Sequence, residues 1–357
     1  MNIAVIGPKP PPSGGMAMQT EQLCRLLEQA GHEVTAIATN TAYRPQWIGR
    51  VFMLRAFFRL FHYCWLLVSQ LKKQQVVHLM ANSGWSFYLF AMPAIYIASW
   101  YKVPVIVNYR GGNAKLFFAK SWPYIKGAFR RVDTIIVPSE FLRQIFSQYD
   151  LPSQVVPNIV DLSIFDYQEP NLSVDCLHLV VTRNLELIYD NATAIKAFAL
   201  FCNNNPNTKL TIAGSGSELT ALEQLTVQLK VSDKVNFVGR LSRSEIAKLY
   251  QSADILLNTS IVDNTPNSII EALACGVIVI TSNVGGIPFL VKDGCQALLV
   301  PPEQPTAIAQ KLALVIADLK LSLRLAQGGR EMVQQFSPSE VIPLLEQTYH
   351  KVINQDA

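Results

Sequence analysis

Apolar runs of five or six residues alternate with amphipathic stretches along the chain. Asn2 to Gly7 (NIAVIG) is patterned as a buried strand and is followed by the loop PKPPPSGGM, which holds Gly14 and Gly15. A helix is expected from about Met18 to Ala30, with Leu23, Leu26 and Leu27 on one face. Gly31 stops it and HEVTAIAT resumes as strand. The same alternation continues through VVHLM, a helix from about Ser86 to Tyr101, the strand Val103 to Asn108, and IIVPSEFLRQIF, in which Ser139 is placed to cap a helix. It starts again at Leu177 to Thr182, with a helix over about 193–203, the strand KLTIAGSGS with Gly214 and Gly216, a helix to about Leu229, and VNFVG. Two further helices are expected over about 305–319 and 321–336, and a terminal one over 339–354. Strand and helix units joined by glycine turns predict two α/β doubly wound domains, 1–160 and 176–338, with 161–175 as the linker. The terminal helix is expected to pack back on the first domain.

Two stretches resist that simple parse. RVFMLRAFFRLFHYCWLLVSQLKK, residues 50–73, has the length of a helix, with arginines, aromatics on several sides and two terminal lysines. Its uncharged core from Leu60 to Leu71 is 12 residues, short of the roughly 20 that cross a bilayer, so the reading is an in-plane interfacial helix or an amphipathic domain helix. The uncharged run Gln74 to Tyr101 is longer but is broken by Asn82-Ser83-Gly84 and Pro93, and is assigned to sheet and covering helix.

With 357 residues, 50% hydrophobic and 16% charged, the chain can bury two cores, and disorder is excluded. Six cysteines without a CxxC pair argue against a zinc site or a disulfide framework and point to a reducing cytosol; the apolar start is too short for a signal peptide. The net charge of +4 conceals an asymmetry: residues 1–160 hold 16 Lys and Arg against 6 Asp and Glu, the remainder 14 against 20. A basic, aromatic first half suits anionic lipid, and no base-reading element points to nucleic acid.

The most informative stretch is Asn258 to Val284, NTSIVDNTPNSIIEALACGVIVITSNV, read as polar loop, short helix and buried strand. Asp263 lies on the loop and Glu271 on the first or second helical turn, so both carboxylates can face one cleft. The backbone NH groups of Asn267, Ser268 and Ile269 open the helix, where unsatisfied donors attract phosphate.

The D-x7-E spacing, followed by ALACG and by Gly285-Gly286, resembles the donor signature of glycosyltransferase family four, in a variant with Asp263 where most members carry Glu. IIVPSEFLRQIF and VVPNIVDLSIF resemble the family as well, and the likeness spans nearly the whole chain. The resemblance implies the GT-B fold, two Rossmann-like doubly wound domains facing an interdomain cleft, and retaining transfer from a nucleotide sugar. It assigns Glu271 to the ribose hydroxyls, Asp263 to the sugar and the oxocarbenium-like centre, Arg183 to the diphosphate, and Gly14 and Gly15 to the donor phosphates and acceptor. Gly214 falls on a glycine turn of the donor domain, and Arg240 and Leu241 border the base. There are departures: Ile188 occupies the usual Lys position, Phe289 the usual Glu, and Arg110 the place of a His near the transferred sugar. An Arg there matches phosphate oxygens, such as those of a lipid diphosphate.

With no D-x-D motif, no cofactor or metal is expected, and transfer should be metal-independent. The partners expected are a nucleotide sugar and a lipid-linked or saccharide acceptor in surface polysaccharide synthesis, with the protein cytoplasmic and held peripherally at the inner face of a membrane. A catalytically silent subunit and a sugar-nucleotide epimerase on the same fold remain alternatives.

Overall fold

In the computed structural model, residues 1–11, 15–40, 52–170 and 177–355 are described, with the backbone alone for 52–57 and 355. Gly14, the start of the 50–73 helix and residues 171–175 of the expected linker lie outside them. Contacts divide the chain into Met1–Ile159 with Pro338–Ala357, and Val160–Ser337.

The first unit is built on a parallel sheet of order β2-β1-β3-β4-β5-β6. Its strands are β1 (Asn2–Gly7), β2 (Glu33–Ala38), β3 (Val76–Ala81), β4 (Val105–Tyr109), β5 (Thr134–Val137) and β6 (Ser153–Val155). The side-chain period of two sends alternate residues to opposite faces. Ile6, Leu79 and Val107 meet α2 (Phe52–Gln70), the π-helical turn Phe87–Ala91, α3 (Met92–Trp100), α4 (Ala114–Phe129) and α5 (Glu140–Ser147). Ile3, Val5 and Ile106 meet α1 (Gly15–Gln29) and α13 (Pro338–Gln355).

The terminal helix thus closes one face of the first sheet. Tyr349 Oη lies 2.8 Å from His78 Nδ1, and Glu346 bonds His32 at 2.8 Å. His32, expected to be structural, ties the turn before β2 to α13. Ser139 Oγ accepts from Leu142 N, capping α5 as its position implies. Helix α4 was not foreseen from the pattern.

The second unit has the order β12-β11-β10-β7-β8-β9, also parallel throughout. The strands are β7 (Leu177–Val181), β8 (Thr208–Ala213), β9 (Val235–Gly239), β10 (Ile255–Asn258), β11 (Ile278–Ser282) and β12 (Leu298–Val300). Helices α6 (Asn191–Cys202), α7 (Leu219–Gln228) and α11 (Pro305–Ala317) cover one face; α8 (Arg243–Gln251), α9 (Asn267–Ala274) and α10 (Ile287–Leu290) cover the other. Helix α12 (Leu319–Val333) packs against α9. This is the Rossmann order, with its switch point between β7 and β10.

The expected linker needs correction. Over 161–170 it is a packed part of the second unit, because Leu162, Ile164 and Phe165 are apolar and find that unit's core. Val160 N donates to Phe336 O at 2.8 Å and Gln168 N to Cys275 O at 3.1 Å. Gly276 is held at a φ of 83°, and a Cβ there would strike the Gln168 carbonyl.

Candidate functional site

In an open parallel sheet, ligands bind beyond the carboxyl ends of the strands at the switch point. In the second unit that point gathers the residues singled out in the sequence. Arg183 leaves the end of β7 and Asp263 the loop after β10, and their side chains pair at 2.6 Å although 80 positions separate them. The two side chains are only 15% and 12% exposed. The guanidinium also lies over the Tyr189 ring, 4.2 Å from its centroid.

Glycines hold this arrangement by close backbone approach. A Cβ on Gly214 would collide with the carbonyl of Arg183, and one on Gly216 with that of Leu185. Leu185 N donates to Ser215 O and Glu218 N returns to Leu185 O, so the turn after β8 clamps the turn carrying Arg183. Gly285, at a φ of 54°, and Gly286 play the same part for the acid: their Cβ positions would meet the carbonyls of Asp263 and Asn264. Gly286 N donates to Asp263 O at 3.1 Å. The glycine pair of the signature thus supports the Asp263 loop from behind.

Glu271 sits on the second turn of α9. Burial lifts its carboxyl from the usual 4.5 to about 7, and the nearby charges of Arg243 and then Arg183 oppose that rise. Behind it, Tyr250 Oη bonds both Thr182 Oγ1, at 2.6 Å, and Ser268 O, fixing the start of α9 to the end of β7. Ser268 Oγ and Arg183 Nε are buried with no hydrogen-bond partner among the described residues. Ile269 N donates to Pro266 O at 3.1 Å as the polypeptide turns after Pro266, and its side chain is fully buried.

Sequence reasoning missed two members of this cluster. Tyr189 forms the floor under Arg183, in a 3-10 turn that ends on Asp190 at a φ of 41°. Arg243, the first residue of α8 after the cap Ser242, supplies the second positive charge felt by Glu271. The sole signal for either was its position just after a strand and loop. Ile188 is 47% exposed beside Tyr189, and Phe289 is exposed to the same degree. Arg240 is exposed and Leu241 half-buried just past β9, whose last residue is tied to the glycine turn by Gly214 N donating to Gly239 O at 2.8 Å. Asn267 opens α9 as expected.

In the first unit, Gly15 begins α1, and a Cβ there would meet nothing within 4 Å. Arg110 follows β4, but its guanidinium is held by neutral amides. Nε donates to Asn108 Oδ1 at 3.1 Å, and Nη1 to Gln19 Oε1 and Asn158 Oδ1 at 3.2 and 2.5 Å. Burial lowers its pKa to about 10, and burial with the charge of Arg110 depresses His78 to about 3. His78 is therefore neutral, accepting from Asn108 at Nε2 and donating from Nδ1 to Tyr349. Arg110→Ala removes a charged donor from three amide oxygens, of which Gln19 Oε1 keeps Ile159 N at 3.4 Å, and is expected to cost about 1–3 kcal/mol of first-unit stability, read as a fall in the urea midpoint.

Among the described residues no group of three or more His, Cys, Asp or Glu is placed to hold a metal ion, and no helix is long and apolar enough to cross a membrane.

Comparison with known proteins agrees with this geometry. Residues 13–164 match the model of Glycosyltransferase Family 4 and residues 180–332 that of Glycosyl transferases group 1. N-acetyl-alpha-D-glucosaminyl L-malate synthase of Bacillus anthracis is 28% identical over 181 residues, 50% of this chain and 46% of that protein. The chain spans less than half the length of the curated relatives it first matches. Sucrose-phosphate synthase of Thermosynechococcus elongatus superposes with a TM-score of 0.77 at 19% identity over 99% of both chains. HepE of Anabaena, solved with UDP and glucose, superposes with a TM-score of 0.73 at 16% identity over 98% of this chain and 100% of that one. With family models matching both units and each sheet doubly wound as in GT-B proteins, the chain belongs to glycosyltransferase family four.

Proposed function

We propose that the protein transfers a sugar, with retention at the anomeric carbon, from a nucleoside-diphosphate donor to a saccharide acceptor. The observation that carries this reading is the Arg183–Asp263 pair at the switch point, with the orphaned donors Arg183 Nε and Ser268 Oγ beside the start of α9. A diphosphate supplies the acceptor oxygens that these groups lack. HepE, solved with UDP, shares the fold, which supports a nucleotide as a ligand.

In the reaction the bond between the anomeric carbon and the diphosphate breaks, and the pair of electrons leaves with the phosphate. The acceptor hydroxyl bonds to the same carbon on the same face and gives its proton to the departing diphosphate. Arg183 stabilises the charge that grows on the leaving group, Asp263 holds the sugar hydroxyls and balances the oxocarbenium-like centre, and Glu271 receives the ribose hydroxyls. These steps need no metal.

The acceptor we favour is a lipid-linked saccharide in surface polysaccharide synthesis, met at the inner face of a membrane by a cytoplasmic, peripherally bound protein. The exposed aromatics of α2 support this choice. A silent, donor-binding subunit is the second reading, favoured by Ile188 in the usual Lys position.

The test is transfer from a panel of nucleotide sugars in EDTA, with and without membrane-extracted lipid. Turnover that survives EDTA and requires lipid is the expected result. Binding of a nucleotide sugar without turnover on any acceptor would overturn the enzyme reading in favour of the silent subunit.

A further inference from the structure

Helices α2, α3 and α4 lie side by side on one face of the first sheet. Their inner faces, with Tyr63, Leu67, Ile95, Phe118 and Ile125, fill the core. The outer faces of α2 and α3 are unlike those of ordinary covering helices, which carry charge, and α4 sets exposed apolar and aromatic side chains among lysines. Phe61 and Trp65 on α2, Trp100 on α3, Leu116 and Tyr124 on α4, and Trp85 just before the π-helical turn are each between 58% and 78% exposed. From Phe58 to the end of α3, none of the exposed described positions within these two helices bears a charge.

The charge lies around the apolar positions and has one sign. Between Val34 and Val132 the sequence has 13 Lys and Arg and no Asp or Glu. Lys72 and Lys73 are exposed just past α2, Lys102 just past α3, and Lys115, Lys120 and Lys126 along α4. Arg131 stands over the ring of Tyr96, 5.0 Å from its centroid, which sets a cation directly beside the aromatic surface.

We infer that the α2–α3–α4 face is a docking surface for an anionic lipid bilayer, on which the protein lies without crossing it. Exposed tryptophans beside lysines match the water–lipid boundary, where an indole keeps its apolar body in the acyl region and its NH in the headgroups. Exposed lysines drawn from a stretch of sequence without Asp or Glu complement anionic headgroups, and their attraction is screened by salt. A protein partner would have to offer an apolar surface rimmed entirely by acids. This inference rests on the membrane-acceptor reading above and extends it from α2 to three helices and to the charge of the lipid.

The experiment is co-sedimentation of the full chain with vesicles of phosphatidylcholine alone, or mixed with phosphatidylglycerol, in low and high salt. Wild type is expected on the phosphatidylglycerol vesicles in low salt and to be released by high salt. Trp85→Ser with Trp100→Ser, and separately Lys115→Glu with Lys120→Glu, are each expected to lower that partition at least tenfold while the melting temperature holds. Unchanged partition in both double variants would overturn the assignment. So would a wild-type dimer in solution that both variants dissolve, with no vesicle binding, because the face would then belong to a second copy. Transfer to the lipid-linked acceptor dispersed in detergent, where no bilayer is needed, should be equal in all forms. Its absence in every form, with vesicle binding intact, would count against the transferase reading and leave the docking face standing.

Discussion

Arg183→Gln is expected to lower kcat/KM for sugar transfer by about 10²–10³-fold, the range seen when one donor to developing negative charge is removed. Two structural facts argue for so large an effect. In the proposed reaction Ile188 stands where the family resemblance places a second cation, so the neighbouring diphosphate oxygens would depend on Arg183. The same side chain neutralises Asp263 at 2.6 Å, and its loss leaves a carboxylate that is only 12% exposed without its partner. The second unit should therefore also lose about 2–3 kcal/mol, because breaking one side of a buried pair costs more than the pair contributes. Ile188→Lys in the Arg183→Gln background separates the two effects. It should recover part of the transfer rate without restoring stability, since a lysine at 188 offers charge to the phosphates but lacks the fork that grips Asp263. Full activity in Arg183→Gln would remove this residue from the reaction.

Glu271→Gln is expected to weaken donor binding about 10–100-fold, through loss of charged hydrogen bonds to hydroxyls, and yet to stabilise the second unit at alkaline pH. The sign follows from burial. With its carboxyl raised from 4.5 to about 7, the folded protein keeps a proton in that window that the unfolded chain has released. Stability contributed by the protonated acid is therefore present below pH 4.5 and is lost as pH rises through 7. The glutamine variant escapes that loss, worth about 1–3 kcal/mol at pH 8, and should match wild type at pH 4. Denaturant unfolding at the two pH values, with calorimetric titration of the donor, reads both effects. A variant that binds donor like wild type would show that Glu271 does not receive the ribose.

The two parallel sheets were readable because apolar runs bounded by glycine turns leave few alternatives. Helix α4 was not, since Lys120 and Pro123 interrupt the apolar spacing between Leu116 and Ile125. The start of α1 was placed late because two glycines read as loop, although Gly15 is already helical. In the site, the spacing of Asp263 and Glu271 carries its own signal. The pairing of Asp263 with Arg183, the ring of Tyr189 beneath it and the charge of Arg243 beside Glu271 are products of the strand order, which brings β7 next to β10 across some 70 intervening residues. Arg110 shows the same limit: its position suggested a phosphate, and only the fold reveals that Gln19, Asn108 and Asn158 already hold its guanidinium.

The hydrogen bond from Val160 N to Phe336 O joins the first residue of the second unit to its last but one. A segment whose two ends meet in this way is topologically an insert, and such segments tolerate transplantation and circular permutation. Residues 160–337 can therefore be treated as an exchangeable cassette. If the second unit holds the donor, as proposed above, replacing them with the matching segment of a relative should alter donor choice while the host keeps its own acceptor. Glycosyltransferases with new pairings of donor and acceptor become accessible by two cuts in the gene.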